Sequence, residues 1–281
     1  MPPMKLSCLP VSLFQAIAVE RTMPLTDYLR LAKSVGLDGT ECSLGFIHPL
    51  GPHQPAEFRA MVQDAGLETS MLTCHPDFTH PDPDVRKAQV ADMTRNLDTA
   101  LAIGAPLIRV LTGQRHPGVS DDVGTGYAID ALASLSSEAD ARGLTLALEN
   151  HTKSFFWQYF DFAQRGVVFT RIIAGLRGTS VRVNFDSANP LVAGEEALEL
   201  FEEVKDRLAI LHVADTPTQG EFRFCRIGEG IAPIAELFRR ARLQGFDGWV
   251  SVEEASRSGM DAFGVAVANV RRLWTAAGPP A

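Results

Sequence analysis

Eight times along this 281-residue chain, a short apolar run is followed by a longer stretch with helical spacing. The runs are KLSCLP (5–10), GLDGTECSL (36–44), LETSMLTC (67–74), APLIRVLTG (105–113), LTLALE (144–149), VRVNFD (181–186), LAILH (208–212) and WVSVE (249–253). Helical spacing predicts helices near 25–35, 55–66, 81–104, 120–143, 158–176, 193–206, 232–244 and 259–276. Gly36 and Gly66 are natural stops, Pro83 suits a first turn, Ser120 suits an N-cap, and the GPP of 278–280 ends the last helix. Strict alternation of this kind predicts a parallel sheet covered by helices. Eight units fit an α/β fold, the closed (β/α)8 TIM barrel, as one domain over 1–281. An open doubly wound sheet would show a Gly-rich turn after its first strand, and PVSLFQA has no G-x-G-x-x-G.

The last four runs each end on an acid or an imidazole: Glu149, Asp186, His212 and Glu253, at gaps of 37, 26 and 41 residues. In a barrel, the C-terminal strand ends form the active-site face. A lone carboxylate there commonly caps the next helix. Acids and an imidazole at four consecutive strand ends point instead to a divalent metal site. Carboxylate oxygens suit Mg²⁺ or Mn²⁺, the imidazole moves the preference toward Mn²⁺ or Co²⁺, and Zn²⁺ stays open. Glu254 competes with Glu253 for the fourth place, and strand alternation favours Glu253, which shares a face with Ser251.

Such a site would chelate neighbouring oxygens of a ketose and acidify its α-proton, giving a metal-held enediolate. Glu149 and Glu253, on opposite sides of the metal, are the expected acid and base. Proton return to the same carbon on the other face is epimerisation, and return to the neighbouring carbon is isomerisation. Loss of a β-hydroxyl is dehydration. The expected function is a metal-dependent isomerase or epimerase acting on a ketose, sugar or polyol. The alternative is a lyase dehydrating an inosose- or dehydroshikimate-like ring.

Composition narrows the field. A net charge of −8 with no basic stripe argues against nucleic-acid and acidic-membrane partners. The four cysteines, Cys8, Cys42, Cys74 and Cys225, form no C-x-x-C pair, and the N-terminus has no secretory leader pattern, so the cytoplasm is expected. Cys8, Cys42 and Cys74 are expected to be buried filler. A homo-oligomer is compatible with this reading.

LALENH (146–151), FDSANP (185–190), LHVADT (211–216), RIGEG (226–230) and GFDGWVSVEE (245–254) resemble the sugar phosphate isomerase/epimerase-like family, the xylose-isomerase-like TIM barrels. GLDGTEC (36–42), DFTHPDPDVR (77–86) and GAPLIRVLTG (104–113) extend the likeness over nearly the whole chain. The resemblance implies Glu149, Asp186, His212 and Glu253 as metal ligands. Ala214 stands where many members carry a Lys, and Asn189 where ketose 3-epimerases tend to carry a His. No Gly-rich phosphate cradle is evident.

Further candidates surround this set. Substrate contacts are expected from His151, Arg226, Glu41, His75 and Trp157, the last beside Phe155 and Phe156 in an aromatic cluster that either packs or closes over a sugar. Asp215 suits either a ligand-orienting role or a loop cap, and Glu229 a cap for the helix near 232. A hydrolase like the apurinic endonucleases of this superfamily would use extra histidines, and His48, His53, His75, His80 and His116 are present. It would also use a basic groove, and none is seen. An intact ligand set argues against a non-catalytic binding barrel.

Overall fold

The computed structural model describes residues 4–278. The last two residues of the GPP stop therefore lie outside the described residues, as does the rest of the 1–281 domain span at either end. Eight strands form one parallel sheet: β1 (Lys5–Cys8), β2 (Gly39–Ser43), β3 (Glu68–Thr73), β4 (Leu107–Val110), β5 (Thr145–Glu149), β6 (Arg182–Asp186), β7 (Leu208–Val213) and β8 (Trp249–Val252). Their order is β1-β8-β7-β6-β5-β4-β3-β2, so neighbours in sequence are neighbours in space, and β8 returns to β1. This is a TIM barrel.

At the seam between β1 and β2, Asp38 supplies the bonding. Its N–H donates to the Leu6 carbonyl at 2.8 Å. Its carboxylate accepts from the Leu6 N–H at 2.9 Å.

The helices pack outside: α1 (Val11–Phe14), α2 (Leu25–Ser34), α3 (Pro55–Asp64), α4 (Pro83–Ile103), α5 (Asp121–Asp140), α6 (Gly166–Gly175), α7 (Asn189–Val192), α8 (Ala197–Val204), α9 (Ile234–Leu243) and α10 (Gly259–Ala276). Pro83 opens α4 at its first turn, and the Ser120 hydroxyl accepts from Val123 N–H to cap α5.

Two expected helices are shorter than their spacing suggests. The helix expected over 158–176 begins only at Gly166, because the preceding residues are tied to the loop after β4. There the N–H groups of Gln158 and Tyr159 both donate to the Gln114 side-chain oxygen, at 2.7 and 3.0 Å. The helix expected over 193–206 begins only at Ala197 as α8, because Gly194, whose φ of 83° no continuing helix allows, separates it from the short α7 before it. PVSLFQA, expected as a turn, begins a helical segment: α1 followed by a π-helical stretch, Gln15–Val19.

The inward faces of the strands change character from bottom to top. Met71, Ala147, Ile210 and Trp249 form a buried apolar plug at the floor. Gly39 makes room for it, since a Cβ there would meet the Trp249 ring at 2.8 Å. Two residues further along each strand, on the same face, stand Thr73, Glu149, His212 and Ser251. Leu107 and Arg109 are related in the same way on β4. Period-two alternation therefore turns an apolar floor into a polar top within one strand length. Cys8, Cys42 and Cys74 are fully buried in the main core.

Candidate metal centre and substrate pocket

Glu149, Asp186, His212 and Glu253 each offer one donor atom, and these atoms lie within 4.8 Å of one another. Sheet register produces this. Asp186 pairs with His212, and His212 with Ser251 two residues before Glu253. His212 sits at the middle, its Nδ1 2.7 Å from Glu253 Oε2 and 3.0 Å from Glu149 Oε1. Glu254 points elsewhere. It is buried behind the strand, accepts the Ser256 N–H at 2.7 Å, and has its carboxyl pushed up by burial.

The opposite side of the imidazole is fixed by Glu41, from β2. Its Oε1 lies 2.8 Å from His212 Nε2. The same oxygen accepts from Ser251 Oγ, and Glu41 Oε2 accepts from Thr73 Oγ1 at 3.1 Å. Both ring nitrogens thus face carboxylates, and a cation taken up on the Nδ1 side would leave the ring proton on Nε2, directed at Glu41. Glu41 was expected to touch substrate. It is fully buried and stands behind His212, outside the cavity lining.

Arg109 is the buried charge that the sequence reading overlooked. It projects from β4 with 2% of its surface exposed. Its Nη1 lies 3.0 Å from Glu149 Oε2 and its Nη2 lies 2.6 Å from His75 Nε2. An arginine can only donate, so His75 accepts through Nε2 and carries its proton on Nδ1. Burial, then Arg109, then His151 hold the His75 pKa well below its ordinary value. The one signal in the sequence is a lone charge inside LIRV, since a buried guanidinium must find an acid.

The electrostatics of the cluster favour a cation. Burial pushes the Glu149 carboxyl up, but Arg109 and His212 outweigh it and hold it at about 2. Burial, with Glu253 and Glu149 nearby, drives Asp186 well above its usual range. His212 is also raised, because Glu41 and Glu149 outweigh its burial. Both Glu149 oxygens are buried and neither lies in hydrogen-bonding geometry with a partner. Crowded acids with unbonded oxygens are what a hard divalent ion would complete. Asn150 secures the rim of the cluster: its side chain accepts from Asp186 N–H at 2.7 Å and donates to Asp186 O at 3.0 Å.

A cavity of about 420 Å³ opens above the cluster, with Asp186 and Glu253 on its wall. Of the expected substrate contacts, His75 and His151 line it. His151 has Nδ1 3.4 Å from Asp161, a carboxylate fixed by the Ala163 N–H at 2.8 Å and pushed up in pKa by burial. Asp161 was missed because it reaches His151 only through the loop that replaces the first turns of an expected helix.

Trp157 is turned away from the cavity. It is buried and meets the His151 ring edge-on at 5.7 Å, so it packs. Phe155 and Phe156, both exposed, line the mouth. Arg226 is exposed, outside the lining, and pairs with Glu229 at 3.5 Å. Asp215 caps its own loop, accepting from the N–H groups of Gly228, Gly230 and Ala232 at 2.8–3.0 Å. That is the loop-capping alternative expected of Asp215, while α9 has no side-chain cap, so the cap expected of Glu229 is not made. Among the described residues, no helix is long and apolar enough to cross a membrane.

Comparison with known proteins places the fold in a known family. The sequence model of the xylose isomerase-like TIM barrel family matches residues 29–274. A Streptomyces coelicolor protein provisionally named hydroxypyruvate isomerase is 22% identical over 244 residues, 82% of this chain and 85% of that one. The crystal structure of an Escherichia coli 3-keto-D-glucoside 4-epimerase superposes with a TM-score of 0.73 at 20% identity, covering 96% of this chain and 99% of that one. A structure of L-ribulose 3-epimerase gives a TM-score of 0.80 at 14% identity, covering 98% and 95%.

Proposed function

Because this chain belongs to the xylose isomerase-like TIM barrel family, we propose that it is a divalent-metal-dependent isomerase or epimerase acting on a ketose, sugar or polyol. The observation that carries the reading is the convergence of Glu149, Asp186, His212 and Glu253 within 4.8 Å beneath a cavity of about 420 Å³. The names of the relatives, one isomerase and two epimerases, support the same reaction class.

A divalent cation held by these residues would polarise the substrate carbonyl and make its α-proton acidic. The chain supplies the rest. Glu253, at the end of β8 and on the cavity wall, is the carboxylate that meets the substrate from the open side. Glu149 faces it across His212, from the closed side that Arg109 backs. One carboxylate removes a proton and the other returns it, and their opposed placement permits return on the opposite face. His75, whose tautomer Arg109 fixes, offers an Nδ1–H to a substrate oxygen. Manganese is the metal of first choice for a set of three carboxylates and one imidazole.

The test is isotope exchange. The protein with Mn²⁺ is incubated with a panel of ketoses and polyol ketones in heavy water and followed by proton NMR. Metal-dependent loss of an α-proton signal is expected for at least one compound. No such uptake across the panel sinks the reading. A new conjugated enone absorbance in place of exchange would move the assignment to the dehydratase.

A further inference from the structure

We propose that the substrate ends in an oxyanion, a carboxylate or a phosphate, that Lys153, Arg223 and Arg257 hold at the mouth of the cavity. This deepens the proposed function and rests on the cavity being the substrate site.

The three cations come from three separate loops, following β5, β7 and β8, and all three line the one cavity. Among the described residues, none of the three has an acid within ion-pair distance or a side-chain hydrogen bond, so their charges stay open to a ligand. Among the described residues, the only acids on the cavity wall are Asp186 and Glu253, both members of the candidate metal cluster. These three cations stand in a chain whose net charge is −8, and Arg109, which also lines the wall, is matched by Glu149 and adds no free charge. Convergence of unpaired positive charge against an acidic background focuses the field on an incoming anion.

The loop after β8 is built to present one of these groups. Arg257 has φ of 58°, one of two non-glycine residues with positive φ among those described. That conformation costs free energy and persists where its surroundings impose it. Here the Arg257 N–H donates to Ser12 Oγ at 3.2 Å, and Ser12 Oγ in turn donates to Glu254 O at 2.7 Å. The guanidinium lies 5.2 Å from the Phe155 ring centroid, and the Lys153 ammonium lies 5.5 Å from that of Phe160. Packing against an aromatic face orders a cation while leaving its N–H groups free for an anion. The arrangement separates the tasks: the buried cluster handles the carbonyl end, and the mouth takes the charged end.

The test is binding, read apart from turnover. Calorimetric titrations compare D-fructose, D-fructose 6-phosphate and 5-keto-D-gluconate, with the metal-free protein in EDTA and with the protein plus Mn²⁺. The anionic probes are expected to bind about ten-fold more tightly than D-fructose, the sum of three partly exposed ion pairs. That advantage should shrink as salt rises. It should collapse in the triple variant Lys153→Gln, Arg223→Gln, Arg257→Gln, whose melting curve is checked first; Arg223→Gln alone and the salt series decide if the triple variant does not fold. A stronger phosphate arm assigns a phosphate, and a stronger ketogluconate arm a carboxylate. Absence of any preference for the anionic probes, including absence of binding by all three, overturns the proposal. So does a preference that survives the triple substitution. Deuterium uptake without anion preference would refute this inference alone, and the converse would refute only the enolising reaction.

Discussion

The two halves of the barrel do different work at the same site. Strands β5 to β8 end in the four candidate metal donors. Strands β2 to β4 contribute none of these, yet Glu41, Thr73 and Arg109 from that half determine how the donors are held. Glu41 anchors the Nε2 side of His212, and Arg109 neutralises Glu149 while orienting His75. The donor half shows where chemistry is expected. The supporting half shows why the donors tolerate one another in a buried site.

Changes on the two sides of that divide should fail differently. Glu253→Gln removes a donor and a proton carrier together, so α-proton exchange should fall about a thousand-fold. Exchange within a few-fold of the parent would show that Glu253 belongs to neither role. Arg109→Leu acts on stability first. It strands the buried Glu149 carboxylate, and the metal-free protein should lose about 3 kcal/mol in urea unfolding. A loss under about 1 kcal/mol would mean the pair is not the support it looks like.

Glu41→Gln keeps the shape and removes the charge behind His212. Mn²⁺ affinity by titration should weaken about 10- to 100-fold, with the fold intact. Unchanged affinity would erase the distinction between donors and supports at this position.

The smallest effect is in pH. His212 is raised above its ordinary 6.5, so its contribution to stability is full below that value and is lost as pH climbs through the raised one. Asp186, raised above 3.8, behaves the same way from a lower starting point. Glu149 runs oppositely: its contribution is full above 4.5 and fades as pH falls toward about 2. The melting temperature of the metal-free protein should therefore decline by a few degrees between about pH 5 and 8. The increment gained on adding Mn²⁺ should grow across that range, because the ion displaces protons from Asp186 and His212. An increment that shrinks with rising pH would place the metal elsewhere.

The sequence alone determined the barrel and the four strand-end residues, because both depend on local periodicity. Alternation with period two puts His212 on the face of Ile210, and Glu253 on the face of Ser251 and Trp249. Helix lengths were less legible: the segment from 158 to 165 has helical spacing, yet its backbone is claimed by Gln114 from a neighbouring loop. Roles that depend on contact across the closed barrel were decided only in three dimensions. Glu41 and His212 are 171 residues apart and meet because β2 and β7 face one another across the interior. Trp157 and Arg226, both reasonable from their places after strands, turn to packing and to a surface pair. A strand tells each side chain which face to take, but only the closing of the sheet brings another strand to meet it.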